Sequence, residues 1–160
     1  MFEECRLEGD FSLSSGRKSP YFYDFDLLSS EATMEYVYAL AELIPQELRD
    51  RIDFIATPVL GGIEIAYVMA GVLGKPRVKV LTVEERTRGP VFEGKNYLIV
   101  DDVISSGQAV NKVINILSDN VCIGTATFVF RGTSEETLVK EFPMYYLEQK
   151  EPEFTNAGTA

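Results

Sequence analysis

Tyr97-Leu98-Ile99-Val100-Asp101-Asp102-Val103-Ile104-Ser105-Ser106-Gly107-Gln108-Ala109 joins three signals in one run. Its apolar start reads as a fully buried strand. Two adjacent carboxylates, Asp101 and Asp102, follow at the carboxyl end of that strand. A Ser-Ser-Gly turn then feeds a helix. Val110, Val113, Ile114 and Leu117 fall at i, i+3, i+4 and i+7, so that helix has one apolar face.

This order of parts suits a sugar phosphate. A turn entering a helix N-terminus presents unpaired backbone N–H groups, and the helix dipole adds partial positive charge. Small residues let a phosphate approach those groups, and Ser105 and Ser106 add hydroxyl donors. The two carboxylates are acceptors, suited to a diol, an ammonium group or a metal ion. A ribose 5-phosphate fits the spacing. An Asp-Asp pair alone is more often an ordinary turn or helix cap; the whole run carries the reading.

Outward from this run, strands and helices alternate. Phe11 and Leu13 alternate with polar residues, as in a half-exposed strand, and a basic turn, Ser15-Gly16-Arg17-Lys18, precedes an aromatic strand over 20–25. A helix is expected over 30–44 with Val37, Leu40, Ala41 and Ile44 inward, ended by Pro45. A buried strand over 53–57, a turn over 58–62 and an apolar helix to 73 follow. Gly74-Lys75-Pro76 breaks the chain before a strand over 78–83. A charged stretch over 84–94 leads into the signature strand. Beyond it come a strand over 121–131, a short helix over 134–141 and a strand over 144–147. The polar tail, 151–160, is expected to be loose. The pattern means α/β with a mainly parallel twisted sheet flanked by helices. It divides a single domain, 1–160, into an N-terminal hood segment (1–28), a core (29–150) and the tail. In such sheets ligands sit beyond the carboxyl ends of strands. The 57–62 turn, the 84–94 stretch, the signature loop and Arg131 all lie at such ends and can face one cleft.

Bulk properties narrow the function. A chain of 160 residues can bury a real core, and 46% apolar content is ordinary for a globular protein. No apolar run reaches membrane-span length, and no charged-then-apolar leader opens the sequence, so a cytoplasmic protein is expected. Cys5 and Cys122 lack metal-ligand spacing and are expected to be reduced. A formal charge of −10 argues against nucleic acid as a partner. The absence of histidine removes every mechanism built on an imidazole. Cationic contacts to an anionic ligand must therefore be local. Arg17, Lys18, Lys75, Arg77, Lys79, Arg86, Arg88, Lys95 and Arg131 are the candidates.

The signature run resembles the 5-phosphoribosyl-1-diphosphate (PRPP) motif of type I phosphoribosyltransferases. The resemblance implies that family's fold. It implies that Asp101 and Asp102 take the ribose hydroxyls, while Ser105, Ser106, Gly107, Gln108 and Ala109 line the 5-phosphate loop. The segment Ser15-Gly16-Arg17-Lys18-Ser19-Pro20-Tyr21-Phe22-Tyr23-Asp24 is similar to the hood of the orotate phosphoribosyltransferases. There, Phe22 and Tyr23 would stack on the pyrimidine, with Ser105 and Arg131 completing the base site. Thr57-Pro58-Val59-Leu60-Gly61-Gly62-Ile63 is similar to the family's diphosphate loop, which assigns Val59, Leu60 and Gly61 to PRPP. The resemblance also implies Mg²⁺ held mainly by PRPP, with no direct protein ligands, and a homodimer whose catalytic loop reaches the neighbour's site. The implied reaction transfers ribose 5-phosphate from PRPP to orotate.

The catalytic loop departs from the family pattern. A basic pair is replaced by Glu84 and Glu85, the usual histidine is missing, and the flap is short. Arg86 and Arg88 remain as its cations and, with Asp102, are assigned the catalytic part. Two glutamates oppose the charge that develops on a departing pyrophosphate. A weak or inactive PRPP- or nucleotide-binding homologue, or a transferase for another base, are therefore alternatives.

Overall fold

The computed structural model describes residues 1–12, 18–132 and 141–150. Leu13, the Ser15-Gly16-Arg17 turn, nearly all of the expected helix over 134–141 and the tail lie outside the described residues.

Among the described residues, β1 (Arg6–Ser12) and β2 (Lys18–Tyr23) form an antiparallel hairpin. The main sheet contains β3 (Phe54–Pro58), β4 (Arg77–Leu81), β5 (Arg86–Arg88), β6 (Asn96–Ile104), β7 (Val121–Phe130) and β8 (Met144–Gln149). Its order is β5-β4-β3-β6-β7-β8, parallel throughout except for β5. Helices α1 (Ser30–Leu43), α2 (Gln46–Arg51), α3 (Ile63–Leu73) and α4 (Gln108–Ile116) complete it. No described helix is long and apolar enough to cross a membrane.

The central strands are buried on both faces and split their side chains with period two. Ile55, Leu98 and Val100 join the core under α1 and α3. Phe54, Ala56, Tyr97 and Ile99 face the opposite way and meet Val110, Val113 and Leu117 of the α4 segment. Ser29 caps α1 by accepting the Ala32 N–H at 3.1 Å. Val37, Leu40, Ala41 and Ile44 are buried, as their spacing requires.

Three features go beyond the sequence reading. Pro45 does end α1, but it also opens α2, where an X–Pro site serves as a helix start. Residues 1–9 are organised: Phe2 is buried and packs on Phe25, Tyr36 and Phe128, at ring distances of 5.3, 4.6 and 5.3 Å. The charged stretch contains β5, which turns back antiparallel along the outer edge of β4, with Lys79 opposite Arg88. Its far end is held low on the sheet. Phe92 stacks on Phe54 at 4.5 Å, and Asn120 Nδ2 donates to the Phe92 carbonyl at 2.8 Å.

Candidate active site

The chain runs from β3 outward to β4 and from β6 outward to β7 in the opposite direction, so the strand order reverses between β3 and β6. The loops above these two neighbours must diverge, which leaves a crevice at their carboxyl ends. A cleft of about 410 Å³ opens there. Its floor is the Asp101–Val110 segment. Pro58–Gly61 and Thr82–Val83 form one wall; Ser12, Phe22, Tyr23 and Arg131 form the other.

The two turns in the cleft are shaped by glycines. Gly107 has φ of 85°, a left-handed conformation that admits glycine at low cost, and it starts α4. Gln108 donates its N–H toward Ser106 Oγ at 3.4 Å. Gly61 lies against Asp102: a methyl group there would come within 2.5 Å of its Oδ2. Gly62 lies against Thr57 Oγ1 and, just beyond it, against backbone. A methyl carbon on it would sit 2.9 Å from both the Asp101 Cα and the Val100 carbonyl oxygen. The two glycines should therefore respond differently to substitution. Gly61→Ala will push the Asp102 carboxylate aside and weaken binding of a ligand held by that carboxylate, while leaving the melting temperature near wild type. Gly62→Ala must move backbone and will cost about 1–3 kcal/mol of stability by overpacking. Calorimetric titration and thermal melts of the two variants check this pair.

Asp101 is buried, with 8% exposure, and Asp102 is half-buried beside it. Asp101 Oδ1 accepts the Asp102 N–H at 2.9 Å, and Asp102 Oδ1 accepts the Val103 N–H at 2.7 Å. Thr127 Oγ1 donates to the Asp102 carbonyl at 2.8 Å, steadying the strand end from β7. Burial, and then the neighbouring Asp102 carboxylate, push the Asp101 carboxyl well above its ordinary value. Asp102 is raised too, chiefly by burial. The site thus holds two adjacent carboxyls whose acceptor oxygens suit a diol.

Arg131 follows directly on β7 and is 5% exposed. Its Nη2 donates to Ser19 Oγ at 3.0 Å and its Nη1 to the Tyr21 carbonyl at 3.5 Å. The guanidinium lies 5.5 Å from the Tyr23 ring centre. Arg131 therefore ties the hairpin to the sheet edge of the cleft. Tyr23 is buried, whereas Phe22 is 42% exposed and stacks on Phe11 at 5.5 Å. Phe22 is the ring left open to a planar ligand.

Phe22, Tyr23, Val59, Leu60, Gly61, Asp101, Asp102, Ser105, Ser106, Gly107, Gln108, Ala109 and Arg131 all line this one cleft. Arg86 and Arg88 do not. Both are exposed on β5, and Arg86 Nε donates to Glu84 Oε2 at 2.8 Å. The 84–94 stretch thus does not face the cleft, contrary to expectation. Pairing along β4 carries it back from the strand ends, and only Thr82 and Val83 stay at the mouth. Lys112, absent from the sequence candidates, lines the cleft from α4. Its position four residues after Gln108 was the available signal. Neither cysteine is suited to nucleophilic chemistry: burial pushes the Cys5 thiol up to about 11 and the Cys122 thiol up to about 12.

The family model described as the phosphoribosyl transferase domain matches residues 26–156. The chain belongs to the phosphoribosyltransferase family. Among individual relatives, the orotate phosphoribosyltransferase of Erythrobacter litoralis is 32% identical, covering 96% of this chain and 83% of that protein. The orotate phosphoribosyltransferase of Sphingopyxis alaskensis is 29% identical, covering 98% and 87%. The crystal structure of orotate phosphoribosyltransferase from Aeropyrum pernix matches with a TM-score of 0.75 and 25% identity, over 91% of this chain and 88% of that one. The α/β fold with its mainly parallel sheet is the fold of this phosphoribosyltransferase group.

Proposed function

We propose that the protein transfers the ribose 5-phosphate of PRPP to orotate, giving orotidine 5-phosphate and releasing pyrophosphate and a proton. One observation carries this reading. A single cleft has an acidic strand end and small-residue phosphate loop on its floor, and an aromatic hairpin pinned by a buried arginine on its wall. Relatives named orotate phosphoribosyltransferase over most of the chain support it.

In this reading the 105–109 turn binds the 5-phosphate through backbone N–H groups at the start of α4. Asp101 and Asp102 accept the ribose hydroxyls, and Val59–Gly61 approach the diphosphate. Phe22 stacks on the pyrimidine face, and the Arg131 guanidinium faces the base carboxylate. Transfer breaks the bond from the anomeric carbon to pyrophosphate and forms one to the pyrimidine nitrogen. The chain's own contribution is positioning and electrostatic stabilisation.

The donor set fits Mg²⁺ carried on the diphosphate. Mg²⁺ commonly binds through one or two carboxylates plus substrate phosphates and water. When bound it would neutralise charge on the diphosphate. A homodimer belongs to the same reading, supported by Met34, Tyr38 and Tyr67, exposed apolar side chains along a groove between α1 and α3. A cytoplasmic location is supported by the two free thiols.

The placement of Arg86 and Arg88 outside the cleft, with Glu84 and Glu85 beside them, favours one second reading: PRPP binding with little turnover. Incubation with PRPP, Mg²⁺ and a panel of orotate, uracil and purines separates the two. Consumption of orotate supports the first. PRPP binding with no base consumed supports the second, and consumption of another base alone overturns the choice of orotate.

A further inference from the structure

We propose that Lys112 is the side-chain cation that holds the phosphate in the 105–109 turn. This inference rests on the reading of that turn as a phosphate site and adds a ligand to it.

Charge creates the need for such a group. The protein carries a formal charge of −10, and the cleft floor adds two adjacent carboxylates. A phosphorylated, pyrophosphorylated sugar entering this field needs cations close at hand. Among the described residues lining the cleft, the cations are Arg131 and Lys112. Arg131 already donates to Ser19 and Tyr21 of the hairpin, on the base side. Three other described cations are engaged elsewhere. Arg86 is bonded to Glu84, Lys150 pairs with Glu148 at 3.2 Å, and Arg77 covers the Tyr67 ring.

Helix geometry then directs Lys112 at the turn. Gln108 and Lys112, spaced i and i+4, lie on one side of α4, and both line the cleft. Side chains on a helix lean toward its N-terminus and cover the preceding turn. For Lys112 that preceding turn is Gly107–Gln108, the start of α4, which lines the cleft. The side chain is exposed, and among the described residues it forms no ion pair. Its four-carbon stem leaves the ammonium free to settle on a phosphate as a point charge.

The test uses ribose 5-phosphate, which carries the phosphate and the diol but neither base nor diphosphate. Calorimetric titration of wild type and Lys112→Met, at low and moderate salt, reads affinity directly. The expected result is about a tenfold weaker Kd for Lys112→Met at low salt, equivalent to one charge-assisted hydrogen bond. The gap should narrow as salt rises. Lys112→Arg should restore most of the affinity, and the unliganded melting temperature should be unchanged in both variants. If wild type binds and Lys112→Met binds within twofold of it, the role of Lys112 is refuted while the phosphate site stands. If wild type itself fails to bind ribose 5-phosphate at millimolar concentration, the site reading fails and this inference falls with it.

Discussion

Asp101→Asn is expected to make the unliganded protein more heat-stable and to lower kcat/KM for PRPP by about 10²-fold. Both effects have one cause. Asp101 is buried beside Asp102, and burial together with that like charge holds its carboxyl well above the ordinary value of 3.8. A carboxyl whose folded pKa is raised favours the folded state most below its ordinary pKa. That advantage is lost as pH rises from there through the folded value. Asparagine keeps the oxygen that accepts the Asp102 N–H and has no charge to bury. The melting temperature of the variant should therefore exceed that of wild type by a margin that grows as pH rises above about 4 and levels off once the folded carboxyl has ionised. Each kcal/mol relieved corresponds to about 2–4 °C for a chain of this size. Under the proposed function the same change removes a carboxylate acceptor for the ribose hydroxyls, worth about 1.5–3 kcal/mol in binding. A margin that stays flat with pH, or reverses, would mean that the acid pair is not strained in the free protein.

Arg131→Ala is expected to lower kcat/KM for orotate by about 10²–10³-fold and for uracil far less. Truncating one partner of a buried, hydrogen-bonded charge pair costs about 2–5 kcal/mol. Orotate brings the carboxylate that makes such a pair, and uracil does not. The ratio of the two bases is the informative readout, because Arg131 also anchors the hairpin through Ser19 and Tyr21. Loss of that anchor alone would slow both substrates equally, and such a result would reject Arg131 as the reader of the base carboxylate. Arg131→Lys should rescue poorly, since an ammonium cannot reproduce the planar fork that meets a carboxylate in two places.

Much of the molecule is legible along the chain because its strongest signals are local. The buried strand Asn96–Ile104, the glycine at 107 and the one-sided apolar helix Gln108–Ile116 each follow from short-range spacing. The small-residue turn over 105–109 is written in a single run for the same reason, and nothing distant is needed to form it. Two local signals are weaker. Helix α2 is six residues with little periodicity, and its start coincides with a proline that also reads as a stop. Lys112 looks like any solvent-facing lysine until α4 is docked, because the sequence gives its helix face but not what lies across from that face.

What the sequence by itself determined is the set of elements, their alternation, the acid pair at a strand end and the small-residue turn after it. Backbone preference and hydrophobic period specify these within a few residues. Only the tertiary structure decided which strand ends share a cleft. The reversal of strand order between β3 and β6 set Gly61 against Asp102, and the hairpin brought Phe22 to the same opening as Arg131. It also decided against the charged stretch. Residues 86–88 gain backbone hydrogen bonds by pairing along the open edge of β4, and Phe92 gains burial on Phe54, so the segment leaves the cleft. Those rewards come from partners far apart in sequence, and spacing along the chain carries no record of them.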